Sequence, residues 1–374
     1  MSAQTPWRHR AFAALILALL LLGLEGVARL LYGRFSSPRG LAAVAVLEGR
    51  EDAFSRQLNR PHPYLLYVNN PGFEWAGIRQ INSLGYRGPE MTLRPAPGTT
   101  RILAIGGSTT FGHLVRDPLM TWPKQLEQRL NAAPGTRVEV VNGGLNDATS
   151  AELLSHYLFR HRYLGARFVI IHEGGNDTVP LMLPDYHPEY THARKGWTES
   201  PLAPRPGERT VLRSGLGRFF YSWWLRNTSL SYLITMSTVW FQRPPEENLR
   251  NVRANEPEGF RRNLDLLIRN ILADGATPVL FHFVLVPPER LPRLPSSSEF
   301  LKRHYEAIAE GLRKNRKVME ELAGQYGIPV VDLPPGAMPV ENFLDVCHVN
   351  EAGERVKAQY VREVLAPMVA NPPR

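Results

Sequence analysis

With one cysteine, Cys347, in 374 residues, the chain can form no intrachain disulfide. Lysine is scarce too: six of the 44 basic residues, the rest being scattered arginines, adjacent only at Arg261-Arg262. The formal charge of +9 therefore gathers in no block or stripe, and the clustered footprint of a nucleic-acid binder is missing. Phosphate and metal signatures fail one by one. Gly107 to Gly112 has the spacing of a phosphate loop, but His113 and Leu114 stand where lysine and a hydroxyl residue are required. No G-x-G-x-x-G follows an apolar strand, and after His172-Glu173 the second histidine of a zinc helix is replaced by Asn176. A G-x-S-x-G elbow ends on Thr110 instead of glycine. No cofactor or metal is implied, and nucleic acid is not an expected partner.

Long apolar runs are confined to the amino terminus. After Arg8-His9-Arg10, Ala11 to Leu24 gives fourteen residues without a charge, before Glu25 and Arg29 interrupt and Leu30-Leu31-Tyr32 resumes. Fourteen is short for a span and suits a signal-peptide core, with Gly26-Val27-Ala28 as a small-x-small cleavage site. Glu25 would crowd that cut, so the preferred reading of 1–35 is an uncleaved signal anchor with Arg29 snorkelling. The anchor would make this a single-pass membrane protein, and either way the catalytic body is expected to be periplasmic or extracellular.

Residues 36–99 mix proline, glycine and aromatics in HPYLLYVNNPGFEW (62–75) and INSLGYRGPE (81–90), which predicts short β pieces and turns. From Arg101 the pattern becomes a regular alternation over 100–369. Strands are expected at 101–106, 137–141, 167–171, 277–285 and 328–332. Helices are expected near 121–132, 149–163, 257–273, 298–326 and 351–369. That order predicts an α/β fold with a five-stranded parallel sheet covered on both faces. An insertion, 180–256, interrupts it with the aromatic runs FFYSWWL (219–225) and SYLITMSTVWF (231–241). It reads as a satellite core, or else as a lid or membrane-lying surface.

The stretch RILAIGGSTTFG (101–112) presents Ser108 where an apolar strand ends, and ligand sites of open α/β sheets gather there. A serine nucleophile needs a base, an orienter and oxyanion donors. In FLDVCHVNEAG (343–353), Asp345 and His348 are three residues apart, so one turn lets the carboxylate hold the imidazole. In GGND (174–177), Asn176 places a side-chain NH2 at the same sheet edge, and the glycines of VVNGGLNDATS (140–150) let backbone N–H groups approach a ligand. Cys347 alternates away from its neighbours and reads as packing.

Together these four blocks, in this order over 100–180 and 257–369, resemble the SGNH/GDSL hydrolase family. The resemblance implies a three-layer α/β/α, flavodoxin-like fold. It also implies Ser108 as nucleophile and oxyanion donor through its own N–H, Asn176 as side-chain donor, His348 as base and Asp345 as orienter. The family's second-block glycine falls on Asp147, with Gly144 as the alternative donor. INSLGYRGPE, GGSTTFG and Thr121-Trp122-Pro123 look like a membrane-anchored bacterial branch, in which Asn82, Tyr86 and Arg87 either line the site entrance or form a structural β piece. The expected function is a membrane-tethered serine esterase acting on an acyl ester of a glycan or lipid, acetyl among the candidates. The alternatives are an O-acyltransferase acting on an envelope polysaccharide and a catalytically silent envelope scaffold.

Overall fold

Ile102 to Ile105 and Phe168 to Ile171 are unbroken apolar runs, and every one of these side chains is buried, as in strands covered on both faces. The computed structural model describes residues 6–35, 58–62, 64–194, 208–211, 213–220, 243–295, 299–334 and 336–371. It builds these runs into a sheet of five parallel strands: β5 (Thr100–Gly106), β6 (Val138–Gly144), β7 (Phe168–His172), β8 (Thr277–Phe281) and β9 (Val330–Val331). Their spatial order is β6-β5-β7-β8-β9. Four shorter strands precede them as two antiparallel pairs, β1 (Asn59–His62) with β2 (Leu66–Asn69) and β3 (Glu74–Trp75) with β4 (Ile78–Arg79).

The chain leaves β5 toward one side of the sheet to form β6, then crosses back past β5 to form β7. That reversal is the topological switch point, where the carboxyl ends of adjacent strands diverge and leave a crevice. Helices fill both faces. Trp122, Leu126 and Leu130, together with Ala358, Val361 and Leu365, form one layer with the inward residues of β5 to β9. They come from α3 (Trp122–Asn131) and α9 (Glu351–Ala370). The opposite face carries α4 (Ser150–Phe159), α7 (Glu258–Ala273) and α8 (Tyr305–Tyr326), with α5 (Thr178–Met182) and α6 (Pro245–Ala254) packed beside α8.

The expected sheet and helices are present, with informative shifts at their ends. β6 runs on through Asn142-Gly143-Gly144 because Gly144 still pairs with Gly106 of β5. β8 stops at Phe281, and Val286 then donates its N–H to Val346, so the apolar residues after β8 pack under the 345–348 turn. The long helix expected at 298–326 breaks at His304, whose ring meets the Asn248 amide at 3.1 Å. Thr121 starts α3 without capping it: its hydroxyl donates to Pro118, and the Glu354 carboxylate accepts the Trp122 N–H at 2.7 Å.

Asn82, Tyr86 and Arg87 are buried and structural. Asn82 organises its own turn by accepting the N–H groups of Leu84 and Tyr86. Arg87 lies over the Phe111 ring and donates to the carbonyls of Gly112 and Val115. None of the three opens onto solvent.

The described residues 6–35, 208–211 and 213–220 belong to a separate compact unit. Its main element is α1 (Pro6–Phe35), long and apolar enough to cross a membrane or act as a signal anchor. Glu25 of α1 pairs with Arg29 at 2.8 Å and accepts the N–H groups of Gly215 and Leu216. The aromatic runs at 219–225 and 231–241 lie outside the described residues beyond Phe220.

Candidate functional site

Ser108 opens the short helix α2 (Ser108–Phe111) directly after β5. Gly107 caps it, and a side chain there would push the site apart: a Cβ would lie 2.5 Å from Asn176 Nδ2 and 3.0 Å from Glu173 Oε2. The glycine lets the strand turn into the helix with the serine at the rim. Among the described residues, the Ser108 N–H donates to no protein acceptor, as expected for the first turn of a helix.

The opposite side of the site comes from the turn before α9. Ser108 Oγ and His348 Nε2 are 2.7 Å apart, although 240 positions separate them in sequence. His348 Nδ1 and Asp345 Oδ2 are also 2.7 Å apart. The second oxygen of Asp345 accepts the N–H groups of Cys347 and His348 at 2.9 and 2.7 Å. These bonds fix the carboxylate before it orients the ring. Burial alone would raise the Asp345 pKa, but His348 and the two N–H donors outweigh it and hold the carboxyl at about 2. Burial likewise opposes a charge on His348, yet Cys347 and Asp345 raise its pKa well above the ordinary histidine value. Since burial pushes the Cys347 thiol up and keeps it neutral, the Asp345 carboxylate is the physical cause.

Asp345, Cys347 and His348 also carry a donor set of the kind a metal uses, within 4.8 Å of one another. His348 Nδ1, however, is engaged with Asp345, and a metal there would break the chain that reaches Ser108.

Asn176 follows β7. Its Nδ2 donates to the Ala148 carbonyl at 2.8 Å, which leaves its second N–H for a ligand beside Gly107. The next residue, Asp177, is structural: it accepts the Ser150 N–H and the Ser150 and Tyr190 hydroxyls. In the loop after β6, Asp147 has φ +61°, the left-handed conformation that glycine adopts freely, and its side chain is exposed. Gly144 does not serve as the alternative donor. Its N–H is spent on the Asn142 side-chain oxygen at 3.0 Å, and it is still paired inside β6.

Three neighbours carry no local signal in the sequence. The His113 ring lies 5.3 Å from the His348 ring and meets the Asn146 amide at 3.1 Å. Burial, then His348, lowers its pKa to about 3, so it stays neutral. Lys357 is fully buried, donates to the Thr109 carbonyl at 3.3 Å and lies 3.7 Å from Glu354. This ammonium ties α9, which follows the histidine turn, to the helix that opens with the serine. Glu173 lies beneath Gly107. A cleft of about 450 Å³ behind it, lined in part by His282, Phe283, Asn315 and Phe343, contains neither Ser108 nor His348 and is not the reaction cavity.

Comparison with known proteins adds the family. The model of the GDSL-like Lipase/Acylhydrolase family matches residues 104–356. A search of curated proteins finds no match. Solved structures similar to this chain include a lipase/acylhydrolase from Enterococcus faecalis, 16% identical, covering 72% of this chain and 96% of that one with a TM-score of 0.41. Another is an alpha/beta hydrolase enzyme from the metagenome of Lake Arreo, Spain, 16% identical over 73% of this chain and 96% of its own, TM-score 0.42. A third is a catalytic mutant of an acetylxylan esterase from Geobacillus stearothermophilus, 13% identical over 71% and 93%, TM-score 0.40.

Proposed function

Because the chain belongs to the GDSL-like lipase/acylhydrolase family, and is an ester-hydrolysing serine hydrolase, we propose that Ser108, His348 and Asp345 are its nucleophile, base and orienter. The observation that carries this assignment is the unbroken chain Asp345–His348–Ser108, with 2.7 Å at each link. His348 Nε2 takes the Ser108 proton as Oγ bonds to the ester carbonyl carbon. The Ser108 N–H, Asn176 Nδ2 and the Asp147 N–H receive the oxyanion. Collapse of the tetrahedral adduct breaks the bond to the alcohol oxygen, which leaves with the proton from His348. Water, deprotonated by the same imidazole, then releases the acid and restores Ser108.

The left-handed backbone of Asp147, φ +61°, supports its place in this set, because it is the conformation a glycine at that position adopts freely. The proposal extends to place. α1 tethers the hydrolase body (100–369) to the outer face of the cell membrane. Within the described residues, Tyr67 and Asn69 of the preceding extension brace the end of β6 and the loop after it by donating to the Asn146 and Gly144 carbonyls. The substrate is then an acylated glycan or lipid of the envelope. Fluorophosphonate labelling of the full chain tests the assignment: wild type should label stoichiometrically and Ser108→Ala should not. A panel of acetyl and longer acyl esters then reads the acyl preference. Equal labelling of the two proteins would remove Ser108 from its role.

A further inference from the structure

Glu173 is an anomaly in the loop after β7. It is buried at 2% exposure, and no described cation forms an ion pair with it. One oxygen, Oε1, accepts the N–H groups of Gly174 at 3.0 Å and Asn176 at 3.2 Å. The other, Oε2, makes no bond of full hydrogen-bond geometry but sits against Gly107, whose N–H lies close enough to favour the charged carboxyl and where a Cβ would approach it to 3.0 Å. The carboxyl group therefore touches both pieces of backbone that frame the oxyanion: the cap of the serine helix and the turn that carries Asn176. From the far side, Asn315 of α8 donates to the Gly174 carbonyl at 2.8 Å and closes the turn from behind.

We propose that Glu173 is a positioning residue of the hydrolytic site, its carboxyl group wedged between Gly107 and the Gly174–Asn176 turn so that the Asn176 amide and the Ser108 N–H stand at a fixed separation. The inference rests on the oxyanion role given to Asn176 above. Burial, with Asp177 beside it, pushes the carboxyl pKa well above the ordinary carboxylate value. Glutamine matches it in shape and still offers one oxygen to both N–H groups. Aspartate, one methylene shorter, cannot reach Gly107 and the turn together, and alanine reaches neither.

The test is steady-state kinetics on p-nitrophenyl acetate for Glu173→Gln, Glu173→Asp and Glu173→Ala, with active sites titrated by fluorophosphonate. Glutamine should stay within threefold of wild type. Aspartate and alanine should lose ten- to a hundredfold in kcat, with KM moving less than threefold. A glutamine variant as impaired as alanine, or an alanine variant within threefold of wild type, overturns the proposal. If alanine fails to fold, the contrast between glutamine and aspartate decides. Crystal structures separate this claim from the hydrolytic reading. In Glu173→Asp the Asn176 amide should leave its 2.8 Å contact with Ala148, whereas in Glu173→Gln it should stay. An unmoved Asn176 in the aspartate variant refutes positioning whether or not the protein turns over an ester.

Discussion

Replacing Asn176 with alanine removes a single N–H donor from the proposed oxyanion site and leaves the Asp345–His348–Ser108 chain intact. Loss of one such donor costs about 3–4 kcal/mol of barrier, because the donor acts in a partly dehydrated site and only on the charge of the transition state. The expected loss in kcat is therefore on the order of 10²–10³-fold, with KM nearly unchanged. Stability should move far less. The substitution also frees the Ala148 carbonyl from its 2.8 Å bond, worth about 1 kcal/mol. A fall in activity so much larger than the fall in stability cannot come from unfolded protein. The assay is turnover of p-nitrophenyl acetate, divided by the fraction of sites that fluorophosphonate labels, with thermal melts run in parallel. Asn176→Asp sharpens it: the shape stays, but a carboxylate replaces the donor, and kcat should drop below that of the alanine variant. If Asn176→Ala keeps kcat within threefold, the amide does not meet the oxyanion and the reasoning fails.

Four more outcomes follow from the same geometry. His348 must be neutral to accept the Ser108 proton, and its pKa is held above the ordinary histidine value, so kcat/KM should fall as pH drops through a midpoint above 6.5. Asp345→Asn should move that midpoint down while kcat falls about 10⁴-fold, as in triads of this type; an unmoved midpoint would detach Asp345 from the base. Stability also falls on the acid side: the contribution of Asp345, complete above its ordinary value of 3.8, is lost as pH falls toward about 2, which acid melts will read. At position 147 the site needs a backbone shape and an N–H, not a carboxylate. Asp147→Gly should keep kcat within threefold and melt no lower than wild type, whereas Asp147→Val should lose about 1–2 kcal/mol at φ +61°. A tenfold loss in the glycine variant would refute this.

Those features of the sequence that depend on local physics were legible. Continuous apolar runs broken by glycine mark β5 and β7, and serine or asparagine just past them marks the rim. Asp345 and His348 could be paired because three residues of separation decide whether a carboxylate can reach Nδ1. Features set by tertiary partners were not legible. Nothing around Gly144 reveals that Asn142 would consume its N–H, and nothing around Lys357 reveals that its ammonium would end under Thr109. The apolar residues after Phe281 read as strand because burial under another turn demands the same side chains as burial in a sheet. His304 ended a helical pattern with no glycine or proline to announce it.

The bond between Ser108 and His348 has a consequence in time. During synthesis the serine, its strand and its helix emerge long before the imidazole exists, and 240 residues must still be translated before the two can meet. In the roles proposed above, the hydroxyl has no base until the turn before α9 docks beside the serine helix, where Lys357 of α9 reaches the Thr109 carbonyl. On those proposed roles, hydrolysis reads out completed folding, and a chain truncated before Asp345 should hydrolyse no ester.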